Sequence, residues 1–227
     1  MTGKIYETKT VRDLIFNSLH ASAGLIIFGI GTYLTIQANI GVSPWDTFSL
    51  GLAGTLHILY GNASIIISVT VVLIDLLMKE KIGIGTLLDA VLVGKTVDLM
   101  NYLNIVPEIE TPLASYVIFI AGIFIMASSQ FLYMRAGLCC GPRDTLQIGL
   151  ARRIPRLGVG TVNICIQTVV LIAGYLLGGP VGPGTVIAAF GIGIAQNLIF
   201  RWIGFEPRNV KHQSLIGSWN LLVKGKT

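Results

Sequence analysis

Six long apolar stretches constrain the fold of this chain more than any other feature. They run over residues 14–38, 62–78, 84–105, 113–134, 159–178 and 184–203. Each approaches the ~20 residues that a helix needs to cross a hydrocarbon core about 30 Å thick. Only 12% of the residues are charged and the mean hydropathy is +0.75, too few charges and too much apolar surface for a water-exposed fold. The sequence predicts an all-α fold, a polytopic membrane helix bundle of about six transmembrane helices.

Two shorter apolar segments and the C-terminal tail complete the chain. Residues 44–57 and 142–152 are too short to span a bilayer, so we expect two half-helices that are re-entrant or lie near the interface. Residues 206–227 form a tail whose apolar residues have helical spacing, which predicts a short amphipathic helix on the cytoplasmic surface. A packed cytoplasmic cap is the alternative. The residues with this spacing are Leu215, Ile216, Trp219, Leu222 and Val223.

Basic residues cluster in segments that alternate with nearly uncharged or acidic ones. Glu108 and Glu110 lie in one of the acidic segments. Because Lys and Arg are retained in cytoplasmic loops, this pattern predicts a multi-pass protein of the cell membrane with both termini, including residues 1–13, in the cytoplasm. The basic residues lie at helix ends and do not form one patch, so we expect no nucleic-acid partner. The clustered basic residues are Lys4, Lys9, Arg12, Lys79, Lys81, Arg135, Arg143, Arg152, Arg153, Arg156, Arg208, Lys211, Lys224 and Lys226.

The chain also contains an internal repeat. Pro44-Trp45-Asp46-Thr47 recurs 98 residues later as Pro142-Arg143-Asp144-Thr145, and a Gly-Leu pair follows each motif at the same distance. Gly83-x-Gly85-Thr86 recurs 99 residues later as Gly182-x-Gly184-Thr185. Chance matching of apolar residues does not produce two such motifs in one register.

Residues 14–106 and 107–205 therefore form two related halves with three spans each. Because three is an odd number, the halves enter the membrane from opposite sides and make an inverted 3+3 repeat. Such repeats recur in secondary transporters, where the substrate site lies near the membrane midplane between them.

The repeated turns provide the first candidate substrate-binding residues: Asp46, Thr47, Asp144 and Thr145. Ser43 is a good N-cap, so each turn should begin a half-helix whose free N–H groups and positive dipole end face a buried region. Discontinuous helices of transporters bind substrate in this way. Alternatively, each aspartate only caps its own helix.

The third span provides the second group of candidates, Lys95 and Asp98. They share a helix face, and Asn197 occupies the position of Asp98 in the second half. A charge at this depth is costly unless it is paired or hydrated. The pair therefore either binds an ionic substrate or carries protons, or it is a structural ion pair between helices. Four further amides could face the bundle interior or join helices by hydrogen bonds: Gln130, Asn163, Gln167 and Gln196.

Signatures of soluble enzymes are missing from the sequence. Three cysteines do not make a disulfide framework, and we find neither a phosphate-cradling loop nor a zinc pattern. We expect no enzymatic activity, no cofactor and no metal site.

The motifs resemble those of a bacterial membrane protein group. The motifs are Gly41-Val42-Ser43-Pro44-Trp45-Asp46-Thr47, its repeat Gly137-Leu138-Cys139-Cys140-Gly141-Pro142-Arg143-Asp144-Thr145, and the two Gly-x-Gly-Thr turns. They are similar to those of the YczE/YyaS/YitT family, and the similarity covers roughly residues 14–205. The resemblance implies a protein of the bacterial cytoplasmic membrane and is compatible with transport. It supplies no binding residues.

Together these features favour a transporter or exporter of a small polar or ionic solute, working by alternating access between the inverted repeats. Its partners would be the lipid bilayer and that solute, with a homodimer left open. The alternative is a non-transporting accessory or scaffold protein that regulates a partner complex.

Overall fold

The fold is entirely helical in the part of the chain that the computed structural model describes, residues 6–107, 109, 111–154, 156, 159–210 and 212–224. The all-α prediction is confirmed. The helices are α1 (Val11–Gln37), α2 (Pro44–Leu56), α3 (Tyr60–Leu77), α4 (Ile84–Leu103), α5 (Pro112–Met134), α6 (Pro142–Arg153), α7 (Val159–Leu176), α8 (Pro183–Ile203) and α9 (Leu215–Lys224), with a 3-10 turn at Pro207–Asn209.

Local sequence signals set the ends of these helices, which lie within three residues of the bounds predicted from hydropathy. At the start of α1, the Thr10 hydroxyl accepts the Asp13 N–H at 3.1 Å and the Asp13 carboxylate accepts the Thr10 N–H at 3.0 Å. A proline is the first residue of four helices, where its missing N–H costs nothing. These helices are α2, α5, α6 and α8.

Four helices are long and apolar enough to cross a membrane: α1, α3, α5 and α8. Their outward side chains are apolar and exposed, as at Leu77 and Trp202, which a bilayer accepts and water does not. Helix α4 carries three charged residues, and the apolar part of α7 is short, Gly160–Leu176. The count of six spans stays a prediction.

Helices α1 and α5 cross in close, antiparallel contact at the centre of the bundle. Gly24 lies against the backbone of Tyr133 near one end, and Gly31 lies against Gly122 further along. A Cβ atom on Gly31 would lie 2.8 Å from the Gly122 carbonyl oxygen. Small residues at such a crossing let two backbones approach, which is how helices associate without a hydrophobic driving force.

The short helices pack across the bundle. Helix α2 lies on α7 and α6 lies on α3, while α4 flanks α1 and α8 flanks α5. The segments that connect α1 to α2 and α5 to α6 are held by the starts of α8 and α4. The N–H of Gly184 donates to the Ile40 carbonyl at 2.7 Å, and the N–H of Gly85 donates to the Leu138 carbonyl at 2.9 Å.

Several basic segments meet at one end of the bundle, which we call the basic end. The Tyr6 N–H donates to the Arg135 carbonyl at 3.0 Å, so the N-terminal segment lies beside the end of α5. Arg152 and Arg153 pair with Glu80 at 3.2 and 3.1 Å, which joins the end of α6 to the turn after α3. The assignment of this end to the cytoplasm stays a prediction. Lys4, Glu108, Glu110, Lys211, Lys226 and the side chains of Arg208 and Lys224 lie outside the described residues.

Helix α9 covers part of the basic end. Its Leu221 and Ser218 are buried against the bundle, and Leu221 joins a core cluster with residues of α1 and α5. The apolar stripe predicted from the sequence, which includes Ile216 and Trp219, is exposed. A helix in this position can contact the headgroup region of a bilayer with its exposed side.

We predict that Gly31→Leu destabilises the protein because the added side chain would push against the α5 backbone at Gly122. Overpacking of this kind costs about 1–3 kcal/mol. The matched control is Gly54→Leu, since a Cβ atom at Gly54 meets nothing within 4 Å. Thermal unfolding of the detergent-solubilised variants would measure both effects. Equal melting temperatures for the two variants would contradict the close α1–α5 crossing.

Candidate functional site

A cavity of about 410 Å³ lies where the starts of α2 and α6 meet α5, α7 and α8. We call it the main cavity. Its polar lining includes three charged side chains and several amides: Asp46, Arg143, Asp144, Gln130, Gln147, Asn163, Gln167 and Gln196. Its apolar lining includes methionine, isoleucine and aromatic side chains. This size and mixture are typical of small-molecule sites.

The two helix starts at the cavity are built differently. In α2 the Ser43 hydroxyl accepts the Asp46 N–H at 3.4 Å and donates to the Asp46 carboxylate at 2.6 Å, so this start is capped. In α6 the cap position is Gly141, which has no side chain to accept the free N–H groups. The start of α6 therefore lacks the side-chain cap that the start of α2 has.

Asp46 is buried, with 3% of its surface exposed, and both of its carboxylate oxygens have partners. The Tyr60 hydroxyl donates to Oδ1 at 2.7 Å, in addition to the bond from Ser43 to Oδ2. Arg143 Nη1 lies 3.9 Å from Oδ1. This carboxylate is thus held in place by three side chains from three segments of the chain.

Arg143 lies inside the bundle, although the sequence groups it with the charges of a cytoplasmic loop. Its guanidinium carbon stands 5.1 Å from the ring centroid of Trp45, and Nη2 donates to the Ser64 hydroxyl at 3.4 Å. Stacking on an aromatic face stabilises a desolvated guanidinium. The reason for the difference is that Arg143 is the second residue of α6, whose start lies at the main cavity.

Asp144 lines the main cavity and has a weaker set of partners. The Tyr133 hydroxyl donates to its Oδ2 at 3.4 Å. Asp144 also borders a small cavity of about 80 Å³, which Asp89, Ser64 and Ser68 help to line. A second carboxylate, that of Asp89, therefore lies near Asp144 at this small cavity.

Thr47 and Thr145, both predicted substrate ligands, lie beside this cluster and bond to backbone. The Thr47 hydroxyl is fully buried and donates to the Ser43 carbonyl at 3.1 Å. The Thr145 hydroxyl donates to the Gly141 carbonyl at 3.0 Å. Neither residue lines the main cavity, and both strengthen the first turn of their helix.

Lys95 and Asp98 belong to α4 and contact the first turn of α3, apart from the main cavity. Lys95 Nζ is 3.6 Å from the Asp98 carboxylate and donates to the Asn62 side chain at 2.7 Å. Asp98 Oδ1 accepts the Gly61 N–H at 2.8 Å. In this arrangement the pair fixes the first turn of α3 to α4.

Asn197, the last predicted ligand, is exposed on α8 and lines an outer cavity of about 770 Å³. This cavity shares Gly193 and Gln196 with the main cavity and continues past Arg201 to Phe205. The Phe205 ring packs 5.0 Å from Phe131 near the end of α5. The main cavity is therefore continued towards the basic end.

The structure adds residues that the sequence did not single out. Trp45, Tyr60 and Tyr133 complete the cluster, but an aromatic residue in an apolar segment carries no signal of such a role. The four amides proposed to face the interior or join helices all line the main cavity. Among the described residues, no three His, Cys, Asp or Glu side chains form a group that could hold a metal ion.

Comparisons with known proteins place the chain among membrane proteins. Residues 15–201 match DUF6198, a family of unknown function. The uncharacterized membrane protein YczE of Bacillus subtilis is 33% identical over 193 residues, 84% of this chain and 86% of the relative. An uncharacterized protein of Haemophilus influenzae is 33% identical over 200 residues, covering 88% and 87%. YyaS of Bacillus subtilis is 24% identical over 174 residues, covering 74% and 85%. No solved structure matches the chain.

We predict that Tyr60→Phe lowers the free energy of unfolding by about 2 kcal/mol, since it removes a hydrogen bond to a buried carboxylate. Tyr102→Phe makes the same chemical change on a side chain whose residue is 87% exposed, and should have little effect. Chemical denaturation in detergent would compare the two. If Tyr60→Phe is as stable as Tyr102→Phe, the bond to Asp46 does not stabilise the fold.

Proposed function

This chain belongs to the DUF6198 family and is a membrane protein related to YczE, and we propose that it transports a small polar or ionic solute. The observation that carries the proposal is the main cavity, with the starts of two broken helices and a cluster of charged side chains at its wall. Buried charge of this kind is expensive in a membrane protein and marks ion or substrate pathways. Alternating access would move the solute through the cavity.

We further propose that the two halves form an inverted repeat. Support comes from contacts that recur at the offset of the sequence motifs. The bond from Gly85 to Leu138 and the bond from Gly184 to Ile40 join equivalent positions in the two halves. The packing of α6 on α3 is likewise the counterpart of the packing of α2 on α7. In such a repeat the half-helix of each half packs on a helix of the other half, so both halves contribute to the wall of the main cavity.

A difference between the halves supports alternating access. Helix α4 packs on α3, where a Cβ atom on Gly94 would lie 2.9 Å from Gly61 Cα. Its counterpart on α8, Gly193, meets nothing within 4 Å of an added Cβ atom, because the main cavity separates α8 from α7. One pair of equivalent helices is closed and the other is open. In the second state of the transporter the two pairs would exchange conformations: α3 and α4 would separate, and α7 and α8 would come into contact.

Alternating access can be tested with two equivalent alanines, Ala189 in the main cavity and Ala90 in the closed interface. Each would be replaced by cysteine in a background where the natural cysteines are serine, and treated with a membrane-impermeant maleimide in oriented vesicles. We expect Ala189→Cys to be labelled from the side of the basic end. We expect Ala90→Cys to be labelled more slowly and from the opposite side, when the second state forms.

Ala127→Cys is the control, since Ala127 is fully buried and lies in the core between α5 and α8. It should resist the reagent from both sides. Labelling of Ala90→Cys from the same side as Ala189→Cys, or no labelling of Ala90→Cys at any time, would refute exchange between the two pairs of helices.

A further inference from the structure

The charged side chains that line the main cavity, within the described part of the chain, leave an excess of negative charge. Asp46 and Asp144 are acidic and Arg143 is basic. Asp89 adds another carboxylate near Asp144, where both side chains line the small cavity. A buried carboxylate without a cationic partner is costly, so an excess of carboxylates favours a cation in the remaining space.

The guanidinium of Arg143 lines both cavities together with Asp144, but its ion pair is with Asp46. It lies 3.9 Å from Asp46, on the face of Trp45 and within hydrogen-bond distance of Ser64. Asp46 is in addition saturated by hydroxyl donors from Tyr60 and Ser43. These two charges therefore largely compensate each other without a solute.

The carboxylate of Asp144 is the one left for a solute. The Tyr133 hydroxyl, which donates to it, is 3.4 Å away, at the long limit of a hydrogen bond. Its side chain borders the main cavity and is only partly buried. A cationic group that entered the cavity could approach Asp144 directly.

The rest of the lining indicates the chemistry of the solute body. A cavity of about 410 Å³ exceeds the space that a single inorganic ion needs, and much of its wall is apolar. Apolar side chains of α5, α6, α7 and α8 contribute to it, at Met126, Met134, Ile148, Ile166 and Ile192, and further ones come from α1, α2 and α4. Such a wall suits a hydrocarbon body, while the amides can bind polar substituents.

We infer that the solute is a small organic cation whose charged group binds the Asp144 carboxylate and whose apolar body occupies the main cavity. This inference rests on the proposed transport function and names the class of its substrate. An amine with an alkyl or aryl body is the simplest member of the class.

Two matched sets of probes separate charge from shape. One set is phenethylamine, phenylalanine and 3-phenylpropionate, and the other is butylamine, 4-aminobutanoate and butanoate. Within each set the body is similar, while the charge changes from cation to zwitterion to anion. Each probe would be added at about 10 mM to the purified full-length protein at constant ionic strength, and the melting temperature recorded. A ligand that binds only the folded state raises it.

We expect at least one amine to raise the melting temperature by about 3 °C, with smaller shifts for its zwitterionic and anionic partners. Asp144→Asn should lose this shift when each variant is compared with its own ligand-free form. Asp13→Asn makes the same change at the distant start of α1 and should keep the shift. Since each shift is internal to one variant, a change in basal stability does not obscure the result.

Several results would overturn the inference. These are a larger shift with the zwitterion or the anion, a shift with sodium chloride equal to that with the amines, no shift with any probe, or an undiminished shift in Asp144→Asn. The cysteine-labelling experiment tests transport separately. If Ala189→Cys and Ala90→Cys are labelled from opposite sides but no amine binds, the transport proposal stands. Only the inference that the solute is an organic cation would then be refuted.

Discussion

The structure depends on satisfying the backbone groups of two broken helices inside the bundle. The segment that joins α5 to α6 and the one that joins α1 to α2 leave helical geometry, so their polar groups need other partners. The first turns of α4 and α8 supply them. Gly85 and Thr86 donate to the carbonyls of Leu138 and Cys140, the latter at 2.7 Å, and Gly184 donates to that of Ile40.

The same constraint explains why glycine occurs at the caps and in the first turns of α4 and α8. A Cβ atom on Gly83 would lie 2.3 Å from the Leu138 carbonyl oxygen, and one on Gly182 would lie 2.4 Å from that of Ile40. Only a residue without a side chain allows the backbones to approach closely enough for the hydrogen bonds. With the breaks fixed in this way, the first turns of α2 and α6 are held at the main cavity.

Burial of charge at those first turns follows from the same arrangement. Asp46 and Arg143 lie at the starts of different half-helices, and each is stabilised by an aromatic residue, Tyr60 or Trp45. The close contact of α3 with α4 and the separation of α7 from α8 then place the open space on one side of this cluster. A protein with these properties has both a polar site and a route to it.

The sequence by itself determined the helices, because hydropathy, proline at first positions and capping residues act over a few neighbouring residues. It also marked Asp46 and Asp144, since a repeated motif stands out in an apolar chain. Only the tertiary structure decided which charges share a cavity. Arg143 and Asp46 are nearly 100 residues apart in the sequence but share the main cavity. Lys95 and Asp98 of α4 lie away from this cavity and contact the start of α3. Such neighbours depend on how helices distant in the sequence pack, and no local pattern encodes that packing.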